Sequence, residues 1–395
     1  MTVQTWQDLL REKRLAYGVS QSRIAALCGI SQQHYSSIES GSFQPSETMR
    51  DTLLQIVERL SFDEPLTMMF DYVRIRFPTN NVKHVVEDIL RIKLSYMIHE
   101  NFGFYSYTEH YYLGDIFVLT SEDAEKGILV ELKGKGCRQF ESYLIAQGRS
   151  WYSFFAECLA DNAIMKRIDL AINDRAGILD IPALTQKCIN EECISLFHSF
   201  KSYHSGKLVK SHEENKLTMG NTLYIGSLKS EIYFCIYQKD YEQYKKLGIP
   251  IEDAEVKNRF EIRLRNDRAY DAIYDLLTYE DPERTAFEII NRYIRFVDRD
   301  NTKPHDEWEL SPDWAYFIGE YRESMKLTTQ PEPYSIERTL QWLSHQVAPT
   351  FKMVMELDEL YNTDNIQRIL DGAEFTDKHK KILRQHVATV DKIII

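Results

Sequence analysis

Three short stretches alternate apolar and polar residues, as strands with one buried face do. The stretch 222–239 reads TLYIGSLKSEIYFCIYQK, which predicts a β-hairpin that turns near Gly226. The second half of the hairpin has an apolar face made of Ile232, Phe234 and Ile236. Its opposite face carries, in order, Tyr233, Cys235, Tyr237 and Lys239. A tyrosine hydroxyl beside a lysine is a candidate nucleophile for attack on phosphorus.

The other two stretches place acids and cations on their polar faces. Residues 167–173 (RIDLAIN) put Asp169 on that face, and residues 259–265 (RFEIRLR) put Glu261 there between Arg259 and Arg263. If the three strands are neighbours, one sheet face collects two carboxylates, several cations and exposed phenols. Such a face could bind a divalent metal through oxygen ligands and hold a phosphate. The alternative is the ordinary solvated face of an antiparallel sheet.

The composition argues against several classes of protein. The chain has 395 residues, of which 43% are hydrophobic and 12% aromatic, and its net charge of −12 argues against DNA binding through bulk charge. Its six cysteines form no C-x-x-C pair and its histidines form no H-E-x-x-H motif, so neither a zinc knuckle nor a disulfide framework is indicated. The polar N-terminus and the lack of a long apolar run predict a cytoplasmic protein without a signal peptide.

Residues 1–62 are predicted to form an all-α DNA-binding domain. The string VSQSRIAALCGISQQHYSSIESG resembles the helix-turn-helix of the Cro and phage-repressor type. That resemblance puts Gln21 near a phosphate and points four side chains into the major groove, namely Gln32, Gln33, His34 and Ser37. Acids and bases balance here, which favours weak or autoinhibitory DNA contact. The alternative is a helical module that contacts only protein.

The rest of the chain predicts an α+β fold. Residues 63–68 are interpreted as a linker, 69–300 as the catalytic domain and 301–395 as a mostly helical C-terminal region. A strand-helix-strand-strand-helix order begins near residue 69 and again near 164, which predicts a mixed or antiparallel sheet of two ferredoxin-like halves with helices on one face. Within the first half, the strand GILVELK carries Glu131 on its polar face.

Five motifs in order give a family resemblance: GKGCRQFE, MKRIDLAIND, TLYIGSLKSEIYFCIYQKDYEQ, NRFEIRLR and QWLSHQVAPT. Together they resemble the replication initiation factor family (Rep_trans), and most closely its MobT branch, the relaxases of integrative and conjugative elements. The resemblance spans roughly residues 69–350, and a preceding helix-turn-helix is an arrangement of that branch. It implies a site- and strand-specific DNA nickase that starts conjugative transfer: a tyrosine attacks one phosphodiester, keeps the 5′-phosphate and releases a 3′-hydroxyl.

The resemblance also assigns roles to residues. Tyr237 matches the I-Y-x-K tyrosine and is the predicted nucleophile. Asp169 matches the R-I-D aspartate and Glu261 the R-x-E glutamate, which implies an Mg²⁺ or Mn²⁺ site. The remaining assignments are Asp174 as a lesser metal ligand, Lys239 as a partner of the phenol or of phosphate, and Arg259 and Arg263 as phosphate clamps.

Several alternatives stay open. Tyr224, Tyr233 and Tyr241 lie close to Tyr237 in sequence, and Cys235 stands where many relatives carry a cation. The same chemistry would serve a rolling-circle plasmid replication initiator, and the helix-turn-helix alone would suit a non-enzymatic transcription regulator. The expected partners are origin DNA, double- and single-stranded, and a conjugation coupling protein or an accessory DNA-binding protein.

Overall fold

The computed structural model describes residues 5–16, 21, 24–25, 28, 30, 32–59, 65–123, 125–206, 218–319, 340 and 343–395. The chain forms two compact units. The first comprises Met1–Phe70 and Ile168–Thr328, and the second comprises Asp71–Arg167 and Thr329–Ile395. The predicted domain boundaries run differently along the chain, and they stay predictions.

The described residues form twelve strands. They are β1 Leu66–Phe77, β2 Ile98–Glu100, β3 Glu109–Leu113, β4 Ile116–Thr120, β5 Ile128–Lys133, β6 Ile164–Asp174, β7 Cys193–Ser195, β8 Phe200–Gly206, β9 Thr218–Ile225, β10 Ile232–Gln238, β11 Asn258–Arg265 and β12 Ile294–Phe296.

Helices alternate with these strands. The α-helices are Trp6–Ala16, Gln32–Glu39, Glu47–Arg59, Lys135–Ala146, Trp151–Ala160, Ile181–Ile189, Lys239–Leu247, Asp267–Tyr279, Pro282–Tyr293, Pro312–Phe317, Ala348–Tyr361, Asn365–Asp371, Asp377–Val387 and Val390–Ile393. Shorter 3-10 or π turns are His84–Ile89, Leu94–Tyr96, Ile251–Asp253, His305–Glu307 and Leu343–Val347. Within the described part of the chain, no helix is both long and apolar enough to cross a membrane.

The first five strands lie in the order β2-β3-β4-β5-β1. In the antiparallel pair of β1 and β5, Arg74 lies opposite Glu131 and Tyr72 opposite Lys133. The helix Lys135–Ala146 follows β5 and packs on it, and its Phe140 is fully buried. Burial of such aromatic side chains removes apolar surface from water on the helix side of the strands.

A second group, which consists of β6 and β8 to β11, has the strand order β6-β11-β10-β9-β8. In each group, the first strand along the chain lies beside the last: β1 beside β5, and β6 beside β11. In the antiparallel pair of β10 and β11, Cys235 lies opposite Glu261 and Tyr237 opposite Arg259. The apolar side of these strands packs aromatic rings, with Phe234 5.2 Å from Phe260 between ring centroids. This register puts the predicted site residues on the face opposite that core.

In both groups the last strand runs directly into a helix through a residue with positive φ. Gly134 (φ 42°) joins β5 to its helix, and Asn266 (φ 46°) joins β11 to the helix Asp267–Tyr279. Glycine and asparagine tolerate this conformation better than other residues do. The α+β prediction, with an N-terminal helix-turn-helix, a large antiparallel arrangement of strands and a helical C-terminal part, is confirmed.

The N-terminal helices enclose a small core of their own. Its buried members come from the helices Trp6–Ala16, Gln32–Glu39 and Glu47–Arg59 and from described positions between the first two, and they are Leu10, Ile24, Ala25, Tyr35, Ile38, Leu53, Ile56 and Val57. A buried ion pair fixes two helices to each other, with Arg14 Nε 2.5 Å from Glu39 Oε1. This core holds the helix Gln32–Glu39, which carries the predicted DNA-reading residues, in place.

Candidate active site

Tyr237 lies one residue before the end of β10, half-buried and reachable from solvent. Its hydroxyl donates a hydrogen bond to Glu261 Oε1 on the neighbouring strand, at 2.8 Å. Lys239 is not part of the strand, because the helix Lys239–Leu247 begins there. Its Nζ nevertheless lies 3.5 Å from the Tyr237 hydroxyl oxygen and also pairs with Glu242. The phenol is therefore flanked by a carboxylate that accepts its hydrogen bond and by an ammonium group.

Asp169 and Glu261 share one guanidinium group. Arg263 NH2 lies 2.6 Å from Glu261 Oε2, and Arg263 Nε lies 3.7 Å from Asp169 Oδ2. Both acids are buried, with exposed fractions of 2% and 3%. Burial by itself would lower the pKa of Arg263, but the Glu261 carboxylate and other nearby groups raise it above its ordinary value. Arg263 is therefore a permanent cation between two carboxylates.

The chemistry of this acid pair fits a divalent metal. Asp169 and Glu261 offer hard carboxylate oxygens, which Mg²⁺ and Mn²⁺ prefer. The position between them already suits a positive charge, since the Arg263 guanidinium occupies it. Two carboxylates alone do not complete a coordination sphere, and no group of three or more His, Cys, Asp or Glu in the described residues is arranged to hold a metal. Water and a phosphate oxygen would have to supply the remaining ligands.

The competing tyrosines have environments less suited to attack. The hydroxyl of Tyr233 is within 3.3 Å of Arg263 NH1 and 3.4 Å of Arg265 NH2, but its side chain is 3% exposed. Burial raises the pKa of Tyr224 to about 12. Tyr241 lies on the helix after β10, and its backbone nitrogen binds Asp240 Oδ1. The Tyr237 hydroxyl, by contrast, donates to the Glu261 carboxylate from a half-buried residue.

Cys235 stands beside the acids in place of a cation. It lies directly opposite Glu261 in the sheet register and is 1% exposed. Burial, reinforced by the Glu261 charge, raises the pKa of its thiol to about 12. A neutral thiol there adds no phosphate contact, so the positive charge at this part of the face comes from Arg263.

Arg259 lies opposite Tyr237 in the sheet register and contacts residues of β6 and β1. Its Nε donates to Asn173 Oδ1 at 2.7 Å, and its NH2 lies 3.7 Å from the Met69 sulfur. The residue is 7% exposed. Its predicted role as a phosphate clamp stays a prediction, and the contacts described give it a structural role as well.

Asp174 has contacts different from those of Asp169. Its Oδ2 accepts hydrogen bonds from the Leu179 backbone nitrogen at 2.8 Å and from Asn258 Nδ2 at 2.9 Å. The residue is fully buried. These bonds tie the end of β6 to the segment that follows it and to β11, which explains a buried carboxylate without a metal.

The predicted DNA-reading residues divide into two groups. Gln32 and Gln33 are exposed on the recognition helix, as contact with base edges requires. Gln21 instead donates to Glu39 Oε2 at 2.5 Å and accepts from Gln32 Nε2 at 3.3 Å. His34 packs against Phe43, with ring centroids 4.7 Å apart, and the Ser37 hydroxyl binds the Gln33 carbonyl oxygen.

Sequence reasoning missed a second cluster around an acid. Glu131, 3% exposed, accepts hydrogen bonds on Oε1 from Arg74 Nε at 2.9 Å and from the hydroxyls of Tyr72 and Tyr105. Its Oε2 lies 2.7 Å from Lys133 Nζ. The alternation in DYVRIRF, which puts Tyr72 and Arg74 on one face, was the signal that could have revealed it. We call these five residues the Glu131 cluster.

Three family models match the chain in order. They are a helix-turn-helix over residues 10–58, the rolling circle replication initiation protein N-terminal domain over 67–157, and the replication initiation factor over 163–370. The last model covers more than half of the chain and contains Asp169, Tyr237 and Glu261.

Similar proteins agree with these models. The chain is 38% identical over 353 residues to a protein of Bacillus subtilis (strain 168) whose provisional name is DNA relaxase NicK. The match covers 89% of this chain and 99% of the relative. A solved structure of a rolling circle replication initiator protein from Geobacillus stearothermophilus aligns with a TM-score of 0.55 at 26% identity. It covers 67% of this chain and 99% of that structure.

Proposed function

Because this chain belongs to the replication initiation factor family, we propose that it is a DNA relaxase that nicks one strand at a specific origin. The observation that carries the proposal is the hydrogen bond of 2.8 Å between the Tyr237 hydroxyl and Glu261, on a half-buried residue beside Lys239. A phenol with a proton acceptor on one side and a cation on the other can attack a phosphodiester.

The proposed reaction is one transesterification. The Tyr237 oxygen bonds to phosphorus as its proton passes to the Glu261 carboxylate, and the bond from phosphorus to the 3′-oxygen breaks. The 3′-oxygen takes up a proton from water and leaves as a hydroxyl, Glu261 returns its proton to water, and the 5′-phosphate remains on Tyr237. The number of phosphodiester bonds is conserved, so the released 3′-hydroxyl can reverse the reaction and reseal the strand. Arg263 and Lys239 stabilise the charge that develops on the phosphate oxygens.

In the same proposal, Asp169 and Glu261 hold an Mg²⁺ or Mn²⁺ ion. When bound, the ion supplies positive charge that polarises the phosphate and stabilises its transition state. The pair supports this proposal because two buried carboxylates both contact the Arg263 guanidinium, so the position beside them suits a cation. Asp174 is a weaker candidate, since its Oδ2 already accepts two hydrogen bonds.

A plasmid assay tests the proposal. The full chain is incubated with Mn²⁺ and a supercoiled plasmid that carries the DNA flanking its own gene, and the products are separated under denaturing conditions with and without protease. We expect open circles and a protein linked to the 5′ end of the nick. Tyr237→Phe should give neither product, whereas the matched control Tyr233→Phe should retain both. An adduct formed by Tyr237→Phe would overturn the assignment of the nucleophile.

A second candidate is a rolling-circle replication initiator, which the similarity to the Geobacillus stearothermophilus protein favours. Its chemistry would be the same, but its origin would start replication of a plasmid. In the relaxase, the nicked complex passes to a conjugation coupling protein or to an accessory DNA-binding protein. A mating assay separates the two candidates, because deletion of the gene should abolish transfer of the element in the first case and plasmid maintenance in the second.

A further inference from the structure

The segment 101–107 (NFGFYSY) presents three aromatic side chains to solvent within four residues. The exposed fractions are 55% for Phe102, 46% for Phe104 and 50% for Tyr105. Scattered exposed aromatics are ordinary, but a contiguous group is typical of a binding surface. We call residues 101–107 the aromatic loop.

The aromatic loop is held in one conformation by its own hydrogen bonds. The Phe102 carbonyl oxygen is 2.6 Å from His110 Nδ1, and the Phe104 carbonyl oxygen accepts from the Tyr107 nitrogen at 2.9 Å. A side chain at Gly103 would place its Cβ 2.3 Å from the Tyr107 carbonyl oxygen, so the backbone approach requires glycine. Rings on a fixed loop lose little conformational freedom when they bind a ligand.

Cations surround the same loop. Lys133 Nζ donates to the Tyr105 hydroxyl at 3.2 Å, and the Arg74 guanidinium lies 4.2 Å from the Tyr105 ring centroid. Lys126 Nζ binds the Ser106 carbonyl oxygen. Glu131 also contacts the loop, since its Oε1 accepts from the Tyr105 hydroxyl at 3.1 Å. Arg74 and Lys133 both contact Glu131, and together with Lys126 they place three cations at the loop.

We propose that the aromatic loop and its cations form a binding surface for single-stranded DNA. Bases stack on exposed aromatic rings whatever their sequence, while phosphates contact nearby lysine and arginine side chains. This combination of rings and cations favours a nucleic acid over an apolar protein partner, which would not need the cations. The inference rests on the proposed function, because nicking at an origin frees an unpaired strand.

Binding to fluorescein-labelled oligodeoxythymidine tests the inference. The full chain with Tyr237→Phe is used, so that no strand is cut, and affinity is followed by fluorescence anisotropy. We expect Phe102→Ala, Phe104→Ala and Tyr105→Ala each to weaken binding roughly tenfold. Tyr105→Phe, which keeps the ring, should bind within about twofold of the parent. Replacing the exposed rings of Tyr270 and Tyr274, on the helix Asp267–Tyr279 and outside this surface, should have no effect.

Two further measurements make the outcome decisive. An iodouracil-substituted oligonucleotide should cross-link within residues 101–107, and Lys133→Gln should reduce the salt dependence of binding by about one phosphate contact. Alanine variants that melt like the parent yet bind the oligonucleotide equally well would overturn the inference and leave a protein as the occupant. That result would not contradict nicking in the plasmid assay. A plasmid assay without nicking would, in turn, not contradict measured binding to the oligonucleotide.

Discussion

The sites around Glu261 and Glu131 contain the same kinds of residue but differ in how many carboxylates and cations they bring together. Each buried acid accepts a hydrogen bond from a tyrosine and contacts an arginine on its own or a neighbouring strand. Around Glu261, a second carboxylate, Asp169, shares Arg263. Around Glu131, two cations, Arg74 and Lys133, contact a single carboxylate. Paired carboxylates offer oxygen ligands to a metal ion, whereas lysine and arginine side chains offer contacts to a phosphate backbone.

The phenols differ in the same way. Burial, strengthened by Glu131, raises the pKa of Tyr72 above its ordinary value, and its side chain is 9% exposed. Tyr237 is half-buried and has Lys239 beside it. A hydrogen bond from a tyrosine to a glutamate is therefore insufficient to identify a nucleophile; access for a phosphodiester and a nearby cation are also needed.

The largest effect is expected from removal of the Tyr237 hydroxyl, and removal of the Tyr72 hydroxyl is its control. Tyr237→Phe should lower nicking of the origin plasmid at least roughly a thousandfold, because the attacking oxygen is lost. Tyr72→Phe should change the rate by less than about twofold. Denaturing gels of the covalent adduct measure both. Equal losses in the two variants would remove the distinction between the sites.

A smaller loss is expected from the acids. Asp169→Asn and Glu261→Gln should each reduce nicking by roughly a hundredfold or more, and added Mn²⁺ should restore less activity than in the parent. Glu131→Gln should keep full activity once its folding is verified. The measurement is the initial nicking rate across a series of metal concentrations. If Glu131→Gln changes the metal dependence and Asp169→Asn does not, the metal belongs to the other site.

Removal of single lysines should have a modest effect. Lys239→Ala is expected to slow nicking by roughly tenfold, because the cation 3.5 Å from the phenol oxygen no longer stabilises negative charge there. Lys133→Ala, its counterpart beside Glu131, should leave the nicking rate of a plasmid unchanged. Single-turnover rates at saturating protein separate this effect from weaker DNA binding.

The smallest effect should appear only in stability. Burial by itself would raise the pKa of Glu131, but hydrogen bonds from Lys133, Tyr72 and Arg74 outweigh burial and hold it below its ordinary range. The lowered pKa stabilises the fold above the ordinary carboxyl pKa of about 4.3, and this stabilisation is lost as the pH falls through the folded value. Glu131→Gln should cost about 1–3 kcal/mol at neutral pH, near the lower limit because Lys133 is half exposed.

Urea unfolding at about pH 7 and about pH 4 checks this prediction. The difference between the parent and Glu131→Gln should shrink at the lower pH, where the carboxyl group begins to be protonated. Glu109→Gln, a change at a more exposed acid on β3, is the control and should cost little. A difference that grows on acidification would contradict the sign of the pKa shift.

The alternation of side chains predicted the strands and the sides on which their residues lie. Phe234 and Phe260 are in the core, and Asp169, Tyr237 and Glu261 are on the opposite face. The pattern could not predict that Asp169 and Glu261 are buried on this face while Tyr237 stays half-buried, because burial depends on how neighbouring strands pack. Sequence spacing gives no information on such packing.

Local periodicity does not determine where every element ends. The helix Pro282–Tyr293 ends at Tyr293, and Ile294–Phe296 pairs with Cys193–Ser195 as a small antiparallel sheet. The short segment Ile-Arg-Phe suits either structure, and a strand partner much earlier in the chain decides between them. Capping marks a helix end more clearly: the Thr376 side chain accepts a hydrogen bond from the His379 nitrogen at the start of the helix Asp377–Val387.

The guanidinium between the two acids has a consequence for how the enzyme can be handled. Buried like charges normally repel each other when a bound ion leaves, and a pocket of that kind collapses or unfolds. Here Arg263 contacts both acids and keeps their repulsion low. A chelator should therefore abolish nicking without unfolding the protein, and addition of the ion should restore nicking by the same molecules.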